Sequence, residues 1–149
     1  MSDIRIHELK SEHYDAWVPL WNGYLDFYAV PEDARHQAET WSRLLDERSG
    51  IHGLGAFDEN GTLLGLTHYM FHHDTWQSGG KCYLQDLYTV EAARGRGVGR
   101  ALIEAVGERA KANGTPAVYW LTQDFNETAR ALYDKVAELT PFVRYSMKV

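Results

Sequence analysis

Apolar and polar residues change their period several times along this chain, and each change marks an element. Ile4 to Glu8 reads IRIHE, alternating in a way that predicts a half-buried first strand. Trp17, Trp21, Tyr24 and Tyr28 recur at intervals of four, three and four, so they share one face of a helix that Ser11 is placed to cap. Trp17 and Trp21 are expected in the core. Tyr24 and Tyr28, near the helix end, suit either the core or the wall of a pocket, because a phenol has an apolar body and a polar tip. Pro31 fits the first turn of a second helix reaching to about Arg48, with Trp41, Leu44 and Leu45 inward and Gly50 as its stop.

Ile51 to Asp58 and Leu63 to His72 read as strands joined by Glu59-Asn60-Gly61, a hairpin signal. Cys82 to Val90 follows as a central strand. Strict alternation puts Cys82, Leu84, Asp86 and Tyr88 on one face and Tyr83, Gln85, Leu87 and Thr89 on the other. A helix from about Gly97 carries Val98, Leu102, Ala105 and Val106 inward and ends at Asn113-Gly114. The apolar run Ala117 to Thr122 predicts a strand covered on both faces. Asn126 can cap a helix through Ala129, Leu132, Tyr133 and Val136, and Phe142 to Lys148 alternates as a closing strand. This order of elements predicts an α+β fold whose sheet mixes antiparallel and parallel pairings.

Composition narrows the class. At 149 residues the chain is expected to form a single domain with a core of its own. Its 44% hydrophobic and 24% charged residues are ordinary for a globular protein. No apolar run approaches the roughly 20 residues of a membrane helix, and MSDIRIHELK lacks the apolar centre of a signal peptide, so a cytoplasmic protein is expected. Cys82 is the sole cysteine, which fits a reducing compartment. A net charge of −6 argues against nucleic acid and favours cationic small molecules or basic peptides. His72, His73 and Asp74 have metal-ligand chemistry, but adjacent residues of a strand point to opposite faces, and a strand end is the expected reading.

The strongest chemical signal is the turn Arg94-Gly95-Arg96-Gly97-Val98-Gly99-Arg100 at the start of a helix. Alternate glycines let successive backbone N–H groups converge on one anion, to which the helix N-terminus and the arginines add positive potential. A P-loop needs GxxxxGK[ST], which is absent, and a dinucleotide fingerprint needs a third glycine where Arg100 stands. Upstream, Asp86 is an acid in an otherwise apolar strand, a position that demands either a hydrogen-bonded partner or a cleft.

The remaining pattern, Arg94-x-x-Gly97-x-Gly99 after Leu87-Tyr88-Thr89-Val90 and before an Asn126-to-Tyr133 helix, resembles the GNAT superfamily of N-acetyltransferases. YLQDLYTV and YWLTQDFNETARALYDKVA further resemble its polyamine and histone-type branch. The resemblance implies a GNAT-like fold, a twisted sheet of six to seven strands with a splayed central pair and about four helices. It implies acetyl-CoA as co-substrate, with the pyrophosphate on the backbone from Gly95 to Arg100 and the pantetheine arm along Leu87, Tyr88 and Thr89, where a bulge splays the strand. It assigns Tyr133 as the acid for the leaving thiol and Asn126 as a cofactor contact. Asp86 is the candidate base or amine anchor, since an alkylamine with pKa about 10.4 must lose a proton before it attacks. An ordinary aspartate, with pKa about 3.9, suits the work better through water. Tyr24, Tyr28 and Gln85 are the expected acceptor contacts, with His72 and Trp76 as further candidates for the pocket wall. A homodimer is expected, because the terminal strand leaves an edge to cover.

Overall fold

The computed structural model describes residues 3–149. In chain order it contains β1 (Arg5–Glu8), α1 (Tyr14–Phe27), α2 (Ala34–Leu45), β2 (Ile51–Phe57), β3 (Leu63–His72), β4 (Lys81–Thr89), α3 (Val98–Ala112), β5 (Val118–Tyr119) and α4 (Glu127–Val136). The strands form one sheet in the order β1-β2-β3-β4-β5. The first three pairings are antiparallel and β4–β5 is parallel. Mixed pairing is as expected; among the described residues the sheet has five strands, not six to seven.

Two apolar layers sandwich this sheet. On one face α1 and α2 bury Trp17, Trp21 and Trp41 against Phe57, Leu63 and Leu66. Trp17 stacks on Trp21 with ring centroids 5.6 Å apart and meets Trp41 at 5.0 Å. On the other face α3 buries Val98, Leu102 and Val106 against Leu54, Cys82 and Leu84, and α4 adds the half-buried Leu132, Tyr133 and Val136. Amphipathic periodicity thus sorted α1 and α3 correctly, because each has one apolar stripe and one sheet face to meet.

The departures are local and have causes. Ser11 lies in a short 3₁₀ turn ahead of α1. Pro31 precedes α2 instead of opening it; the helix is capped by Asp33, whose carboxylate accepts from the N–H groups of Arg35 and His36. Leu45, the last residue of α2, is 38% exposed, since the chain turns away at Asp46 before that side chain reaches the sheet. The alternation of β4 breaks at Gln85. His68 pairs with Asp86 and Tyr69 with Leu84, so Gln85 is an extra, exposed residue. Such a bulge reverses the faces beyond it: Cys82 and Leu84 face α3, whereas Asp86 and Tyr88 face α1.

At the other end of the sheet, β5 is two residues long rather than the six of 117–122, and Tyr119 and Leu121 are exposed. Its pairing with β4 stops at Tyr83, immediately before the bulge bends that strand away. Segment 142–148 forms no strand, and its apolar residues stand in solvent. Alternation makes a segment competent to pair but supplies no partner.

Candidate active site

The glycine turn has the geometry its composition suggests. Gly95 and Gly97 adopt left-handed backbone with φ of 80° and 83°, and a Cβ added at either would meet nothing within 4 Å. The backbone there is open as well as positive. Gly97 caps the 15-residue α3 without any side-chain acceptor. The first bond into the helix is Ala101 N–H to Gly97 O, 3.0 Å, so the N–H groups of Val98, Gly99 and Arg100 precede the helical ladder. Arg94 is tied to the end of β4 by a 3.2 Å bond from Nε to Thr89 O, with its guanidinium 5.8 Å from the Tyr88 ring centroid. Arg96 is exposed, and Arg100 sits 3.7 Å from Glu104. The Val98 side chain is buried in the core, so only its backbone can serve a ligand. An open loop, an uncapped helix end and three arginines fit a phosphate-bearing anion.

From this turn β4 leads back to a gap in the sheet. Cys82 and Tyr83 pair with Val118 and Tyr119, and beyond them β5 no longer accompanies β4. The β4 edge is therefore free of β5 from Leu84 to Thr89, the stretch containing Leu87, Tyr88 and Thr89. Asn126 caps α4, its side chain accepting from Ala129 N–H at 3.3 Å. That cap orients α4 so that Tyr133 stacks edge-on against Trp120, with centroids 5.4 Å apart.

Asp86 sits where the strands part, 8% exposed. Its Oδ2 lies 2.9 Å from His68 Nδ1, and Trp17 Nε1–H donates to His68 Nε2 at 3.1 Å. An indole nitrogen can only donate, so the imidazole must accept at Nε2 and carry its proton on Nδ1, which donates to Asp86. Trp17, His68 and Asp86 thus form a directed chain from the core to the site. The Tyr24 hydroxyl faces both Asp86 and Tyr28, and burial, reinforced by the Asp86 charge, pushes its pKa well above the ordinary phenol value. The Tyr24 and Tyr28 rings lie 5.1 Å apart. Tyr133 also has a raised pKa, chiefly through burial and secondarily through Tyr28.

Tyr24 and Tyr28 therefore gather beside Asp86, Tyr133 lies on the Tyr28 side, and Gln85 is exposed on the adjoining bulge. His72 lies elsewhere, 2.8 Å from the Tyr119 hydroxyl, and Trp76 is 80% exposed in a loop near Lys81. Sequence reasoning missed His68 and Trp17. His68 carried the same signal as Asp86, a titratable residue inside an apolar strand, but an indole N–H that orients a histidine 51 positions away leaves no local pattern.

The chain has relatives among known proteins. The acetyltransferase (GNAT) family profile matches residues 9–137. A D-amino-acid N-acetyltransferase of Saccharomyces cerevisiae is 39% identical over 95% of this chain and 89% of its own. A thialysine N-epsilon-acetyltransferase of Caenorhabditis elegans is 26% identical over 91% and 83%. Among solved structures, a probable acetyltransferase superposes with a TM-score of 0.87 at 24% identity over 97% of both chains. An aminoglycoside N-acetyltransferase in complex with CoA does so at 0.82 and 22%, over 99% of this chain and 96% of that one. With the family profile spanning most of the chain and a relative 39% identical over 95% of it, the chain belongs to the GNAT family of N-acetyltransferases.

Proposed function

We propose that this enzyme is a single acetyltransferase unit that moves an acetyl group from acetyl-CoA to a primary amine of a small molecule, by direct attack in a ternary complex. The observation that carries the reading is the Asp86 carboxylate, oriented by His68 with Tyr24 and Tyr28 beside it, at the point where β4 and β5 part. Polyamine-like and amino-acid-like amines both fit an acidic, aromatic pocket. The activities named for the yeast and worm relatives put D-amino acids and thialysine first among acceptors to test. A lysine side chain of a peptide is the other acceptor class. The net charge of −6 supports cationic acceptors over nucleic acid.

Acetyl-CoA supplies an activated acyl group on a thiol that can leave. The backbone from Gly95 to Arg100 and the arginine side chains would hold its pyrophosphate, with Asn126 as a further contact. The free edge of Leu87, Tyr88 and Thr89 would receive the pantetheine arm, and a backbone N–H near Leu87 would supply a donor for the thioester carbonyl. Asp86 attracts the ammonium form of the acceptor. Because His68 Nδ1–H already donates to it, Asp86 anchors the amine while water carries the proton away. Gln85 and Tyr28 border the acceptor.

Tyr133 remains a neutral phenol. Since its pKa lies above the ordinary value of about 10 and a thiol titrates near 8.5, full proton transfer to the leaving thiolate is uphill. Tyr133 therefore stabilises the thiolate chiefly by donating a hydrogen bond. We place the enzyme in the cytoplasm as a homodimer. The buried, unpaired thiol of Cys82 suits a reducing compartment, and among the described residues no helix is long and apolar enough to cross a membrane.

A thiol-release assay with acetyl-CoA against D-amino acids, thialysine, polyamines and a basic peptide tests the acceptor class. Release with small amines is expected, and turnover of the peptide alone would overturn the small-molecule assignment. Asp86→Asn should lower kcat/KM for the amine about 100-fold while acetyl-CoA binding is unchanged. Full activity of that variant across pH would remove Asp86 from the mechanism.

A further inference from the structure

Gly23 lies inside α1, where the backbone is helical and no turn calls for a glycine. A glycine there loses more conformational freedom on folding than alanine would and offers no side chain to pack. Its place in the sequence has a steric cause. A Cβ at this position would lie 2.5 Å from the Tyr88 hydroxyl oxygen and 2.8 Å from Cζ, so the tip of the Tyr88 phenol fills the space a side chain would need. Tyr88 reaches α1 because the bulge at Gln85 turns it, together with Asp86, onto that face of the sheet. The same ring lies 5.8 Å from the guanidinium of Arg94, the first residue of the glycine turn.

We propose that Tyr88, seated in the notch at Gly23, is a positioning residue for the acceptor amine: it sets the spacing of α1 from β4 and so the place of Tyr24 and Tyr28 beside Asp86. The inference rests on the proposed acceptor site and deepens it. Helix α1 is fastened to the strands at two levels. Trp17 Nε1–H donates to His68 of β3 at 3.1 Å, and about 9 Å further along the helix axis Gly23 rests on Tyr88 of β4. Two fixed levels define the tilt of a rigid helix, whereas one leaves it free to pivot.

The acceptor contacts lie at and beyond the second level. Gly23 immediately precedes Tyr24, whose hydroxyl faces Asp86, and the Tyr28 ring lies 5.1 Å from that of Tyr24. A clash that lifts Gly23 by about 1 Å pivots α1 about Trp17 by roughly 6° and moves Tyr28, about 16 Å from the pivot, by about 2 Å. Displacements of that size in a reacting complex cost up to about 100-fold. Tyr88 thus acts on the amine through α1, without touching it.

Steady-state kinetics and thermal unfolding of Gly23→Ala, Tyr88→Leu and the double variant test this, with an amine that the wild type turns over. Gly23→Ala should raise KM for the amine about tenfold or more, with acetyl-CoA affinity within about twofold. Tyr88→Leu removes the phenol, so adding Gly23→Ala to it should leave the amine KM within about twofold of Tyr88→Leu alone. The unfolding midpoint should fall with Gly23→Ala in the wild-type chain and rise with it in the Tyr88→Leu background, where only helix propensity remains. An unchanged amine KM in Gly23→Ala, an equal loss of acetyl-CoA affinity, or additive effects in the double variant would overturn the inference and leave the acetyltransferase reading intact. A wild-type enzyme that releases thiol with no amine would overturn that reading, and the inference with it. Should Gly23→Ala fail to fold, Tyr88→Phe decides: loss of the hydroxyl should raise the amine KM about threefold with acetyl-CoA affinity within about twofold, and no change would overturn the inference.

Discussion

Strand β4 has two edges with opposite fates. Along one it pairs with β3 at eight positions, from Gly65–Thr89 to His72–Lys81; along the other it meets β5 at two. Along the first edge Leu66, Thr67 and Cys82 are wholly buried, as is Leu54 on the next strand, whereas β5 and the chain beyond α4 are largely exposed. A fully bonded edge holds the fold, and its backbone groups have no capacity left for a ligand. An edge released by a bulge keeps donors and acceptors that a ligand can take up, at the cost of local stability. The single extra residue Gln85 separates the two regimes. It also turns Asp86 from the α3 face to the α1 face, where His68 and Trp17 receive it.

This division of labour can be broken from either side. The largest effect should come from the sealed region: Leu54→Ala removes a fully buried side chain and should cost about 3 kcal/mol of stability in denaturant unfolding, with little change in acetyl-CoA affinity. Nearly as large, but confined to turnover, is Tyr133→Phe. Steady-state kinetics should show kcat about 100-fold lower with acetyl-CoA binding within twofold, and unchanged turnover would withdraw Tyr133 from the reaction. Gly97→Asp combines left-handed strain of about 1–2 kcal/mol with a negative charge at the helix start. It should weaken CoA binding about tenfold or more by calorimetric titration, and equal affinity would refute the anion cradle.

The smallest effect is a pH dependence of the sealed region. Burial pushes the Cys82 thiol from the ordinary 9.0 up to about 11. A group whose pKa is raised by folding favours the native state fully below its unfolded value and loses that contribution as pH climbs through the folded one. Unfolding midpoints should therefore fall between pH 9 and about 11, and Cys82→Ala should flatten that part of the profile. Below pH 9 the native thiol should resist alkylation.

Much of this was legible residue by residue. The Trp17–Trp21 stripe, the α3 stripe from Val98 to Val106, the Asn60-Gly61 hairpin and the Asn126 cap are local patterns, and each forms its element. The left-handed glycines at 95 and 97 were equally readable, since an anion-binding turn there demands residues without a Cβ. Gln85 was not readable as a bulge. Strict alternation fits β4 just as well on paper, and only its pairing with β3 reveals that one residue is left over. The partners of Asp86 were hidden for the same reason: they come from α1 and β3, far apart in sequence.

The terminal segment marks the same boundary. Alternation in 142–148 records that these residues can pair and bury one face, which is a property of the chain. Whether an edge is available depends on where β4 bends and where β5 stops. Local periodicity sets which face of an element is apolar, because side-chain direction repeats with the backbone. Pairing, register and the chemistry gathered at a break in register arise from contacts between distant segments, and those exist only once the sheet has formed.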